Sequence, residues 1–119
     1  MPTTQTCTFC SIAAGEVPAQ VVHEWPDAIA IIPPNAVTAG GGHVLVLPRC
    51  HVATATEDPT VTGTVAVRAA QLANALGWEH LNMIDNVGAD ASQTVFHYHR
   101  HMVRRRAGDR IQLPWPQEN

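Results

Sequence analysis

Gln93-Thr94-Val95-Phe96-His97-Tyr98-His99-Arg100-His101-Met102-Val103 decides how this chain is read, because three imidazoles recur in it at strict alternation. Thr94, Val95, Phe96, Tyr98 and Val103 are β-branched or aromatic and favour an extended strand from Gln93 to Val103. In a strand, residues i, i+2 and i+4 share one face, about 6.5 to 7 Å apart along it. Imidazole is the side chain most readily poised near neutral pH as nucleophile, proton carrier or metal ligand. Four of the seven histidines lie outside the row, so a histidine-rich composition does not account for it.

The strand sits in a chain of 119 residues, the length of one domain able to bury a core unaided. Hydrophobic residues make up 45% and charged residues 14%, which excludes a disordered polymer. A net charge of -3 argues against a nucleic-acid coat or a membrane-surface binder. No apolar run reaches the ~18 residues needed to span a bilayer. Met1-Pro2-Thr3-Thr4 lacks the basic start and apolar stretch of an export signal, so the cytoplasm is the expected compartment. Cys7-Thr8-Phe9-Cys10 then points to metal or redox chemistry rather than to a disulfide framework.

Upstream, Ser11 to Gly15 reads as a short helix, Val21 to Trp25 and Ala28 to Ile32 as strands, and Pro33-Pro34 as a stop. Gly40-Gly41-Gly42 is a flexible break before a third strand, His43 to Leu47, closed by Pro48. Asp58-Pro59 announces a helix as N-cap acid and first-turn proline, and Gly77 is its C-cap. Val61, Val65, Leu72 and Leu76 fall on one face of it, with Ala69 and Ala73 between. Leu81 to Ile84 reads as a fourth strand, and Asp85 to Ser92 as a polar loop. The expected architecture is α+β: a mainly antiparallel sheet of about five strands with one long and one short helix.

Asn86-x-Gly88, Gln93-Thr94-Val95 and His97-x-His99-x-His101 followed by Met102-Val103 resemble the histidine triad (HIT) superfamily. The resemblance extends to Phe9-Cys10, to Val44-Leu45-Val46-Leu47-Pro48-Arg49-x-His51 and to Pro114-Trp115. It implies a HIT-like fold over residues 1–119 and a nucleotide hydrolase or transferase, commonly homodimeric, that acts at the α-phosphate of a nucleotide. The substrates it implies are nucleoside 5'-phosphoramidates, acyl-nucleotides and dinucleoside polyphosphates. By that resemblance His99 is the nucleophile, forming a nucleotidyl-histidine, and His101 hydrogen-bonds the phosphoryl oxygens. Gln93 and Thr94 match positions contacting the phosphate and the leaving-group side, Asn86 matches a phosphate contact, and Trp115 a residue that helps close the site. Cys7, Cys10, His51 and His97 match the ligands of a structural zinc held by many prokaryotic members, a closed S₂N₂ tetrahedron.

Cys50 falls on the opposite side from His51 and is expected to be a small buried residue. His43 is given a supporting role, and Arg104-Arg105-Arg106 is read as a solvated face. Two departures from the family pattern stand out. Arg100 occupies an apolar position on the face opposite the triad and requires a partner or an exit to solvent. Ala30-Ile31-Ile32-Pro33-Pro34 carries no carboxylate where many members bind ribose. Two rival readings follow: a metal hydrolase using all three histidines as ligands of a catalytic ion, and a nucleotide-binding or interaction protein with little turnover.

Overall fold

The computed structural model describes residues 7–113; Trp115 and the rest of residues 114–119 lie outside them. In chain order the elements are α1 (Thr8–Ala13), β1 (Gln20–Glu24), β2 (Ala28–Ile32), β3 (His43–Pro48), α2 (Pro59–Leu76), β4 (Leu81–Asp85) and β5 (Arg100–Arg104). The five strands form one antiparallel sheet in the order β1-β2-β3-β5-β4, which is the expected α+β architecture. A single 3-10 turn, Ala89–Ala91, interrupts the loop between β4 and β5.

Alternation along the central strands sorts the side chains into two layers. Ala28, Ala30, Val44, Val46, Tyr98 and Met102 pack beneath Val65, Ala69, Leu72 and Ala73 of α2. Ile29, Ile31, Leu45 and Leu47 face the other way and are covered by Phe9 of α1. Small residues on the α2 side let the helix approach the sheet closely, and alanines on both surfaces make that possible. Asp58 caps α2 by accepting from the backbone of Thr60, and Gly77 ends it in the left-handed region at φ 69°. Leu76, beside that C-cap, is 41% exposed, so the apolar stripe stops one turn earlier than its spacing suggests.

The short helix begins earlier than expected, at Thr8, because Cys7 is its N-cap: the Cys7 sulfur accepts from Cys10 N–H at 3.3 Å. Arg49, just past β3, fastens this helix to the sheet. Its guanidinium donates to the carbonyls of Ala13 and Trp25, each at 2.7 Å, and to Glu24 at 3.0 Å.

The largest correction concerns the histidine strand itself. It does not run from Gln93 to Val103; regular pairing starts at Arg100, opposite Val46 of β3 and Asp85 of β4. Gln93 holds the preceding segment in a different path: its amide oxygen accepts from Gly88 N–H at 2.9 Å, while its nitrogen donates to the carbonyls of Ala53 and Val95. Cys50 is exposed rather than buried, since the chain bends immediately after Pro48 and no longer follows strand alternation. Removing the Asp58 cap (Asp58→Ala) is expected to lower stability by about 1 kcal/mol, read as a shifted urea midpoint with unchanged slope.

Candidate active site and metal centre

A cavity of about 770 Å³ opens on the α1 side of the sheet, and its floor follows from strand register. Ile31, Leu45, His101 and Ile84 are successive cross-strand neighbours on β2, β3, β5 and β4, forming a row with one imidazole among aliphatic side chains. Pro33, Ile32 and Phe9 line one end, Asn82, Val103 and Ile111 the other. His43, Asn86, Thr94, His99 and His101 line it between these ends, and none of the described lining residues is Asp, Glu, Lys or Arg. The stretch without a carboxylate, Ile31 to Pro34, contributes only apolar contacts and backbone.

His99 and His101 are close, with ring centroids 5.2 Å apart. Their hydrogen bonds assign different tautomers. His99 Nδ1–H donates to the His97 carbonyl at 2.9 Å, leaving Nε2 as the nitrogen with a free lone pair. For His101 the assignment passes through His43. The backbone N–H of Val37 donates to His43 Nδ1 at 3.0 Å, so neutral His43 carries its proton on Nε2 and gives it to His101 Nδ1, also at 3.0 Å. His101 therefore bears its own proton on Nε2. One imidazole offers a lone pair and its neighbour a donor, which is the pairing needed to attack phosphorus and hold its oxygens.

This pattern requires neutral rings, and burial supplies them. His101 is pushed down to about 4, by burial first and then by His99 and His43. Burial also lowers His99, against the raising effect of the His97 carbonyl, and lowers His43. His43, assigned only a supporting role from sequence, is buried and sets the orientation of His101. Its place one residue after Gly42, at the start of an apolar strand, was the available signal.

His97 leaves the row. Its ring is fully buried and its Nε2–H donates to the Pro48 carbonyl at 2.8 Å, which turns the Nδ1 lone pair toward Cys7, Cys10 and His51. The donor atoms of these four residues lie within 4.8 Å of one another. His97 Nδ1 stands 3.4 Å from Cys7 Sγ, 3.3 Å from Cys10 Sγ and 3.3 Å from His51 Nδ1, and Cys10 Sγ is 3.2 Å from His51 Nδ1. The edges of a tetrahedral zinc site with two sulfurs and two nitrogens are about 3.3 to 3.6 Å for N–N and N–S pairs. The donors thus fit a closed S₂N₂ zinc site, with the Pro48 carbonyl orienting one ligand from behind. The ring of Phe9 stands edge-on to both His97 and His99, at 6.0 and 5.0 Å.

Asn86 and Thr94 both reach the cavity, Thr94 as an exposed residue. Gln93 is buried and is not among the lining residues; its amide braces the loop from beneath. Arg100 has found a partner in Asp85. Of the three arginines at the end of β5 and just past it, Arg105 is half-buried and bound to Asp109 and Asn82, while Arg104 and Arg106 are exposed as expected of a solvated face.

The depressed His101 and His43 give stability a definite pH dependence. Between the unfolded-state value of about 6.5 and the lowered native values the unfolded chain binds more protons. Stability is therefore full above about pH 6.5 and declines as pH falls toward 4. Melting temperatures measured from pH 7.5 to 4.5 should fall over that window, and His101→Gln should flatten the slope.

Comparison with known proteins agrees with this geometry. A family model described as HIT domain matches residues 14–108. The chain is 33% identical over 117 residues to Protein hit of Bacillus subtilis, covering 93% of this chain and 79% of that protein. Adenylylsulfatase HINT3 of Arabidopsis thaliana is 32% identical over 108 residues, which span 87% of this chain and 54% of the plant protein. A Zn-bound histidine triad family protein from Mycobacterium smegmatis superposes with a TM-score of 0.78 at 36% identity, over 92% of this chain and 82% of that one. By family model, relatives, fold and the histidines themselves, this chain belongs to the HIT family.

Proposed function

We propose that the chain is a nucleotide hydrolase or transferase that acts at the α-phosphate of a nucleotide conjugate through a nucleotidyl-histidine intermediate. The opposed tautomers of His99 and His101 carry this reading. His99 Nε2 attacks phosphorus, the bond to the leaving group breaks, and the leaving atom takes a proton from solvent. A water molecule or another acceptor then displaces His99 from phosphorus. His101 Nε2–H hydrogen-bonds a phosphoryl oxygen throughout. Asn86 and Thr94 contact the phosphate and the leaving-group side from the rim, while Gln93 acts through the loop it braces. The plant relative's name, an adenylylsulfatase, is of the same reaction type.

Among the three substrate classes, the cavity favours a phosphoramidate or an acyl-nucleotide over a dinucleoside polyphosphate. Each added phosphate brings charge that needs a cation, and the described lining offers no Lys or Arg. A leaving group with an apolar body suits the aliphatic side chains of Ile84, Val103 and Ile111. The reading includes a homodimer, as is common in the family, and a structural zinc on Cys7, Cys10, His51 and His97. That ion would tie α1 to the segment bearing His99.

Wild-type protein incubated with adenosine 5'-phosphoramidate should release AMP and show a nucleotidyl adduct by mass spectrometry. His99→Ala should abolish the adduct and lower turnover by about a thousandfold or more. Tight nucleotide binding with neither turnover nor adduct would instead favour the binding protein. Elemental analysis should find one zinc per chain, lost with a lower melting temperature in Cys7→Ala. Turnover that strictly required an ion held by His99 and His101 would support the catalytic-metal reading.

A further inference from the structure

The ladder that supports the reactive imidazole stops short of it. The last rung between β4 and β5 pairs Asp85 with Arg100, so His99 lies one residue beyond regular pairing. On the β4 side, the chain there is held by one carboxylate. Asp85 Oδ1 accepts from the Tyr98 hydroxyl at 3.1 Å and from Arg100 Nε at 3.0 Å, and Oδ2 accepts from Arg100 Nη2 at 2.8 Å. The residues on either side of His99 are thus bound to the same group. Tyr98 is 1% exposed, and both Arg100 and Asp85 have side chains only 19% exposed, so this network is shielded from competing water.

We propose that Asp85 is a positioning residue for His99: by gripping Tyr98 and Arg100 together it fixes the backbone between them and holds the imidazole in its attacking orientation. The proposal rests on His99 being the attacking group. Arg100, out of place by the family pattern, becomes intelligible as the cationic half of this clamp. The three side chains share the face opposite His99 and His101 and line no part of the cavity. Burial, followed by the Asp85 charge, pushes the Tyr98 hydroxyl well up and keeps it a donor. Arg100 is held charged by the same carboxylate. A fork of two charged hydrogen bonds plus a phenol fixes direction as well as distance. The Tyr98 N–H, which donates to the Val52 carbonyl at 2.7 Å, anchors the segment from the other side.

Loss of orientation without loss of contacts to substrate should appear in kcat rather than KM. With adenosine 5'-phosphoramidate, Asp85→Ala is expected to lower kcat about 10- to 100-fold while KM changes less than about threefold. Tyr98→Phe should give a smaller loss of the same kind. Because Asp85→Ala strands a partly buried guanidinium and could unfold the chain, the double variant Asp85→Val/Arg100→Leu is the control. Apolar replacement of both partners of such a pair is commonly tolerated, and only the Tyr98 hydroxyl loses its acceptor, so the double variant should fold with a modestly lower melting temperature while the kcat loss persists. Nitrogen-15 spectra of the imidazoles give a readout independent of turnover: His99 should be the Nδ1–H tautomer in wild type and a mixture in both variants. A folded double variant with wild-type kcat and an unchanged His99 spectrum would overturn the assignment. Absence of turnover in wild type would count against the enzymatic reading alone, and the spectra would still decide the role of Asp85.

Discussion

The hydrogen bond from His97 Nε2–H to the Pro48 carbonyl organises more of this molecule than any other single contact. It pins a fully buried ring at the end of β3 and thereby turns Nδ1 to the cysteines. It also fixes the peptide whose carbonyl receives the His99 proton. One residue thus serves two clusters through different atoms, its ring nitrogen for Cys7, Cys10 and His51 and its backbone oxygen for the His99 imidazole. The cost of burying an imidazole is offset because both of its nitrogens have partners.

The site built on this anchor works by exclusion of charge. Three clustered imidazoles could not all be protonated in a partly buried cavity, and burial keeps each of them neutral. Neutrality alone would leave every ring free to choose a tautomer. Backbone groups make that choice: the Val37 N–H at one end and the His97 carbonyl at the other. Fixed peptide dipoles thus set the direction of proton donation through His43 and His101, and no buried carboxylate is required.

Much of this was legible in the sequence, for reasons that differ from element to element. Asp58-Pro59 and Gly77 mark the ends of α2 because cap chemistry is local. The strands from β1 to β4 emerge from short apolar runs bounded by proline, glycine and polar turns. The histidine strand is shorter than its alternation suggests, because alternation reports which face a residue would take, not whether its backbone pairs with a neighbour. β4 ends opposite Arg100, and although β3 runs on to Pro48 the chain before Arg100 leaves it, with the Tyr98 N–H bonded to the Val52 carbonyl. The same gap hid the partner of Arg100, since a cross-strand ion pair between residues fifteen apart depends on register. The weight of His43 lies in a contact across 58 positions, which local sequence does not carry, and Cys50 escapes burial because a bend breaks alternation.

Phe9 draws the boundary between the two neighbouring clusters. Its ring, edge-on to His97 on one side and His99 on the other, is a wall of hydrocarbon between a soft sulfur–imidazole cluster and a cavity lined by imidazoles and amides. The sulfur atoms are thereby kept out of the cavity lining, and the polar link left between the two clusters is His97 itself, ring on one side and carbonyl on the other. With Phe9 in that place, a metal held by the four ligands would face an apolar ring edge rather than the open space beside His99.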